Sequence, residues 1–103
     1  MIKVSVLYPN DEGKNFDIDY YCDRHMPLVR QLLGPLCTGI AVDQGIAGAT
    51  PGSKAIYLAM GHLYFNSVAD FVTAFPPNAN EILGDIPNFT DTIPVVQISE
   101  VKM

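Results

Sequence analysis

Positive charge is scarce in this sequence. Six Lys and Arg residues stand against eleven Asp and Glu residues, which gives a net charge of −5. A chain without a basic stripe cannot neutralise a row of phosphates, so we expect no nucleic-acid partner. An anionic membrane surface would repel the chain, and no apolar run approaches the ~20 residues that span a bilayer. The sequence therefore predicts neither nucleic-acid nor membrane binding.

Signals for export and for metal binding are also missing. The chain enters a strand pattern at once and shows no signal-peptide core, so we expect a cytoplasmic protein. In that compartment Cys22 and Cys37 are predicted to be reduced, buried thiols. The two cysteines and the two histidines, His25 and His62, lack the close spacing of a structural zinc site. We therefore expect no bound metal.

Two frequent catalytic frames are absent. Gly45 and Gly48 are not followed by the Lys-Ser pair and the helix of a phosphate-binding loop. None of the four serines lies in a G-x-S-x-G nucleophile elbow. Nucleotide-dependent chemistry and hydrolysis of this kind are therefore poor candidates, and we expect no cofactor.

Apolar residues, in contrast, are plentiful. They make up 49% of the 103 residues, whereas charged residues make up 17%. A chain of this length forms one domain, residues 1–103, and buries only about two thirds of its unfolded surface. We therefore expect part of the apolar excess to face a partner subunit or to line a ligand pocket.

The hydrophobic periodicity predicts the element order β-α-β-β-α-β. Strand patterns cover residues 2–8, 36–46, 55–65 and 94–102, and the helices begin at the N-caps Asp17 and Ser67. Short connections and right-handed crossovers then favour a ferredoxin-like α+β fold. Its four strands form one antiparallel sheet with both helices on the same face.

The predicted first helix contains a proline. Pro27 lacks the N–H that would bond the carbonyl of Asp23, so the helix should kink or restart there. His25 stands just before this break. Its near-neutral pKa suits it to move protons, but it can equally serve to satisfy the freed backbone. Both interpretations remain open at this point.

The third predicted strand is apolar on both faces. One face carries Ile56, Leu58, Met60, His62 and Tyr64, and the other carries Tyr57, Ala59, Gly61, Leu63 and Phe65. Both sides of such a strand should be covered. Two helices can cover only one face of the sheet, so the second face is predicted to meet another subunit.

Two stretches of the chain resemble the EthD family of dimeric α+β barrel proteins. The first runs from Tyr8-Pro9-Asn10 through the aromatic segment 16–21 to His25-Met26-Pro27. The second is Asp85-Ile86-Pro87-Asn88-Phe89-Thr90, followed by the strand segment 94–98. The resemblance implies a homodimer in which two sheets pack face to face, with a pocket between helices and sheet in each subunit.

The resemblance implies only a broad activity. Relatives suggest a protein that binds a small hydrophobic, oxygenated molecule, whether aromatic, polyketide-like or ether-derived. They also suggest that it transforms this molecule by cofactor-independent proton transfer, as a lyase, isomerase or oxygenase. The alternatives are a non-catalytic binding or accessory protein of a degradation pathway, and a plain oligomerisation module. Fold by itself cannot choose among them.

His25 is the candidate catalytic residue, on its position and on the resemblance. A tyrosine combines an apolar body with a polar tip, which suits a pocket for an oxygenated ligand but suits a core or a subunit interface as well. His62 is either a pocket residue that meets His25 or a satisfied core histidine, and Asn88 is either a pocket or a turn residue. The candidate substrate-binding residues are Tyr8, Tyr21, His62, Tyr64 and Asn88.

Overall fold

The computed structural model describes all 103 residues. Its strands are β1 Ile2–Pro9, β2 Cys37–Gln44, β3 Tyr57–Phe65 and β4 Val95–Glu100. The first helix has three parts, α1 Ile18–Tyr20, a π-helical turn Tyr21–His25 and α2 Met26–Leu33. Later come α3 Val68–Ala74 and α4 Ala79–Asp85, with 3₁₀ turns at Gly34–Leu36, Pro76–Asn78 and Ile86–Asn88. Each of these helices is too short or too polar to cross a membrane.

The four strands form one antiparallel sheet in the order β2-β3-β1-β4. In its centre, Val4 of β1 pairs with Leu63 of β3 on one side and with Ile98 of β4 on the other. This order and the element sequence are those of a ferredoxin-like α+β fold, so the predicted fold class is confirmed.

The helices cover one face of the sheet, and the core lies between them. Val4, Tyr8, Leu63 and Phe65 point to this side and are buried together with residues of the first helix. The opposite face, which we call the open face, carries the alternate side chains of each strand. It includes Lys3, Ser5, Leu7, Leu58, Met60, His62, Tyr64 and Val95. Several of its apolar side chains are only half-buried or exposed.

The first helix begins as its sequence predicts. Asp17 is the N-cap, and its Oδ1 accepts a hydrogen bond from the Tyr20 backbone N–H at 3.0 Å. Phe16 contacts Tyr21 edge to face, with ring centroids 5.0 Å apart. This contact joins the entering chain to the helix and fixes the direction in which the helix starts.

The break expected at Pro27 takes the form of the π-helical turn. The N–H of Met26 bonds the carbonyl of Tyr21, five residues back instead of the usual four. Because Pro27 has no N–H to offer Asp23, the regular ladder is interrupted at this point in any case. The wider turn directly before Pro27 thus accommodates the missing hydrogen bond.

Two expectations need correction. Cys37 is buried, as predicted, but Cys22 is exposed on the outer side of the first helix, and both are free thiols. The second strand was also predicted too long, since β2 ends at Gln44 and Ile46 is 95% exposed. The backbone N–H of Gly45 still donates to the Leu58 carbonyl of β3 at 2.9 Å, and the pairing with β3 ends there.

Candidate functional site

An apolar cavity of about 260 Å³ lies between the helices and the covered face of the sheet. Sixteen residues line it, most of them from β1, β3, β4, the π-helical turn, α2, α3 and α4. Among the lining side chains, only those of Tyr8, Tyr21 and His25 contain polar atoms. An enclosed apolar space with a few converging polar groups is the usual form of a small-molecule site.

The π-helical turn delivers two of these polar residues. Tyr21 and His25 are its first and last residues, and both are buried, at 1% and 3% exposure. Their rings stack at 15° with centroids 5.4 Å apart, and Phe89 contacts the imidazole at 4.6 Å. π turns inside α-helices are frequent at functional sites because they redirect side chains locally. The aromatic contacts hold the His25 ring in one orientation.

Asp85 forms a hydrogen bond with Nδ1 of His25. The distance from His25 Nδ1 to Asp85 Oδ2 is 2.8 Å. The other carboxylate oxygen, Oδ1, accepts hydrogen bonds from the Tyr20 hydroxyl at 2.7 Å and from the Asn88 amide at 2.9 Å. Partial burial raises the pKa of Asp85, but the hydrogen bonds from Asn88, Tyr20 and His25 outweigh it and keep that pKa below its ordinary value. Asp85 is therefore an ionised carboxylate that accepts a hydrogen bond from His25 Nδ1.

This pairing leaves the other ring nitrogen free. Burial lowers the pKa of His25, and the hydrogen bond and charge of Asp85 only partly oppose that effect. The ring is then neutral at pH 7, with its single proton on Nδ1, facing the carboxylate. Every fully buried polar side-chain atom has a hydrogen-bond partner. Nε2 makes no hydrogen bond, so it is not fully buried, and the residue that carries it lines the cavity.

Tyr8 and Tyr21 bring two neutral phenols to the lining of the same cavity. Burial raises the pKa of Tyr8 to about 12. Burial likewise raises the pKa of Tyr21, and the neighbouring Tyr8 adds to the effect. Both phenols remain protonated over the working range of a protein. A neutral phenol donates its O–H, so a hydroxyl that a ligand oxygen reaches can donate a hydrogen bond to it.

No cluster of three or more His, Cys, Asp or Glu side chains is arranged to hold a metal ion.

The family model of the EthD domain matches residues 12–93 of this chain. The chain belongs to the EthD family. Solved structures agree with this assignment. An EthD-like protein from Ralstonia eutropha JMP134 is 47% identical, with a TM-score of 0.95 over 99% of this chain and 92% of that one.

Two more distant structures share the fold of this EthD protein. One is an ethyl tert-butyl ether D (EthD) family protein from Bacillus halodurans C-125, 21% identical, with a TM-score of 0.75 and 99% of both chains covered. The other is HapK from Hahella chejuensis, 11% identical, with a TM-score of 0.64 over 99% of this chain and 93% of that one. No curated protein gives a significant match.

The structure of the EthD chain brings three of the predicted site residues together, namely Tyr8, Tyr21 and His25. Asn88 is exposed and does not line the cavity; its amide supports Asp85 from behind. Tyr64 lies on the open face, on the other side of the sheet. The structure therefore separates Asn88 and Tyr64 from the cavity.

His62 also lies on the open face and does not meet His25. Its Nδ1 is 2.9 Å from Ser5 Oγ, and its Nε2 is 3.2 Å from Asp43 Oδ2. Both ring nitrogens are thus satisfied within the sheet. Of the two predicted roles, this geometry fits a histidine whose ring nitrogens are both satisfied. His62 has this role on the face of the sheet away from the helices.

Sequence reasoning missed Asp85 and Tyr20. Asp85 is sixty residues from His25 along the chain, so only the folded packing shows that they pair. A signal was nevertheless present. Asp85 and Asn88 are three residues apart at the end of a short helix, a spacing that places a carboxylate next to a donor. Both also belong to the second stretch that resembles the EthD family.

Gly61 makes room for the Tyr21 hydroxyl, which leads to a prediction about stability. A methyl group at position 61 would overlap Tyr21 Oη, so Gly61→Ala should lower the free energy of unfolding by about 1–3 kcal/mol. Tyr21→Phe removes the overlapping atom, and the double variant should recover much of that loss. Urea unfolding of the two single variants and the double variant measures this coupling.

Gly39 provides the control for this cycle. It is also a strand glycine, but an added methyl would meet only Tyr64, at an ordinary contact distance of 3.6 Å. Gly39→Ala should therefore change stability much less. If Gly61→Ala is harmless, or if Tyr21→Phe fails to compensate it, Tyr21 does not occupy the position described.

Proposed function

We propose that this EthD protein binds a small hydrophobic, oxygenated molecule in its cavity and moves a proton on it without a cofactor. One observation carries the proposal. His25 lines an apolar cavity and its Nε2 is unpaired, while Asp85 holds Nδ1 at 2.8 Å. A base that is oriented by a carboxylate and shielded from water is the arrangement that general-base catalysis uses.

The proposed chemistry follows from the three polar groups. Nε2 removes a proton from a carbon or an oxygen of the ligand, and Asp85 stabilises the imidazolium that results. Negative charge then develops on a ligand oxygen, where the Tyr8 hydroxyl donates a hydrogen bond. Return of the proton to another position gives an isomerisation. Return to a leaving group gives an elimination, so lyase and isomerase activities both suit the site.

The proposal includes a homodimer formed through the open face. Leu7, Leu58 and Met60 are only half-buried there, and Val95 is 53% exposed. Exposed apolar patches of this kind mark protein interfaces. Pairing two copies face to face would cover them, and it would leave the cavity on the helix side of each sheet accessible.

A non-catalytic binding protein is the second candidate. It is favoured by the near absence of polar groups in the cavity, where thirteen of sixteen lining residues are hydrophobic. Such a lining stabilises an apolar ligand whether or not the ligand reacts. The two candidates differ in one respect only. The enzyme accelerates proton removal from a bound molecule, and the binding protein does not.

A neutral, two-ring carbon acid tests the enzyme directly. In 5-nitrobenzisoxazole a base removes the ring C–H proton, the N–O bond breaks and a coloured cyanophenolate forms, with no other reactant. We expect saturable acceleration over buffer. Because His25 acts as a base only when neutral, the rate should fall as the pH falls through its pKa. Burial lowers that pKa, so the midpoint should lie below 6.5.

Absorbance of the cyanophenolate, followed across a pH series, measures this midpoint. A midpoint at or above 6.5 would contradict the described environment of His25. Saturable binding of the compound with no acceleration at any pH would favour the binding protein instead.

A further inference from the structure

The cavity contains no positive charge. None of the six Lys and Arg residues lines it; Lys3 is half-buried on the open face and the other five are exposed. The only lining residue that can become cationic is His25, and burial favours its neutral form. A ligand that carries a negative charge would therefore find no counter-ion among the lining side chains.

The nearest ionised group, Asp85, further disfavours the binding of an anion in the cavity. Asp85 lies directly behind His25, at 2.8 Å from Nδ1. If His25 took up a proton, its single positive charge would already be matched by Asp85. A carboxylate in the cavity would then remain an uncompensated buried charge, which is a costly arrangement.

The mouth of the cavity also lacks positively charged side chains. Leu83 of α4 and Val96 of β4 line the cavity and remain 53% and 56% exposed, so the cavity reaches the surface between these two elements. Leu83 also borders a shallow surface groove whose only charged side chain is Asp91. The Asn15 backbone N–H and the nearby Lys14 keep the pKa of Asp91 low, so it stays ionised. Lys14 lines neither the cavity nor the groove.

We infer that the site selects ligands that are uncharged when they bind. This rests on the proposed function, because it assumes that the cavity is the ligand site. The volume suggests the size of such a ligand. An apolar protein cavity of about 150 Å³ holds benzene, so one of about 260 Å³ holds roughly two fused rings. Phenols, ketones, lactones and esters of that size fit the site, whereas carboxylates and phosphates do not.

The test compares 2-naphthamide with 2-naphthoate, which have nearly the same shape and differ in charge at pH 7. The protein has no Trp and five Tyr, so naphthalene fluorescence excited at wavelengths longer than tyrosine absorbs reports binding without interference. We expect naphthamide to bind and naphthoate to bind at least about 100-fold more weakly, as expected for an unpaired buried charge. Comparable dissociation constants for the two compounds would overturn the inference and leave the proposed binding function standing. Failure of both compounds to bind would overturn both.

A charge added at the mouth makes the test local. Leu83→Lys places an ammonium group where the cavity opens and should improve naphthoate binding about tenfold or more. Val72→Lys is the control, since Val72 is similarly exposed, at 58%, on a helix but does not line the cavity. Equal improvement by both variants would mean that overall net charge, and not the cavity, repels the anion, and would also overturn the inference.

Discussion

His25→Gln is expected to slow the ring opening of 5-nitrobenzisoxazole by about 10²–10⁴-fold, the usual contribution of a general base. Glutamine can still donate an amide N–H to Asp85, so the hydrogen bond within the site and the fold should survive. Nothing in the new side chain can take up the substrate proton. Binding of 2-naphthamide, measured by fluorescence, should therefore change little while the rate collapses.

Asp85→Asn supplies the matched variant. It preserves the shape of the side chain but removes the charge that partly offsets the burial of His25. The rate should drop and its pH midpoint should move further down, because the carboxylate raises the pKa of His25. A merely structural role for Asp85 would lower stability without moving the midpoint. Unchanged rates in both variants would remove the support for proton transfer.

Met60→Glu is expected to convert the proposed dimer into monomers. Met60 pairs with Leu7 on the open face, and both side chains are half-buried in the single chain. A carboxylate at this position would be buried without a partner in the paired sheets, which should weaken association by about 100-fold or more. Native mass spectrometry of the wild type and the variant at the same concentration gives the subunit count.

Val72→Glu controls for added negative charge, because Val72 lies on the exposed side of α3 and away from the open face. It should remain dimeric. Circular dichroism should show that both variants are folded. A wild-type protein that is monomeric at micromolar concentrations, or a Met60→Glu variant that still pairs, would rule out the open face as the interface.

Local patterns in the sequence predicted the elements well because they depend on neighbouring residues. Asp17 caps the first helix as expected, and the alternation along β3 gives the two faces that the structure shows. The alternation of β3 could not reveal which face meets the helices, since both are apolar. That information lay in β1, where Lys3 and Ser5 alternate with Ile2 and Val4, but it becomes useful only once β1 and β3 are known to pair.

The candidate site was less accessible to sequence reasoning, since it depends on contacts between distant segments. Tyr8, Tyr21 and His25 were identified from residue type and position, but their convergence on one cavity required the packing of the first helix on β1 and β3. Pro27 predicted a break without specifying its form. A kink and a wider turn both accommodate a missing N–H, and the choice depends on which side chains the core accepts.

The π-helical turn also has a consequence for how this chain tolerates change over evolution. Its three outer residues, Cys22, Asp23 and Arg24, are all exposed, so their identity should drift freely. Their number should not. Loss of one of them would restore a regular α-helix, in which the Met26 N–H bonds a carbonyl four residues back. Pro27 would then stand inside that regular helix, where its ring clashes with the carbonyl four residues before it. In this segment natural selection should act on insertions and deletions far more strongly than on substitutions.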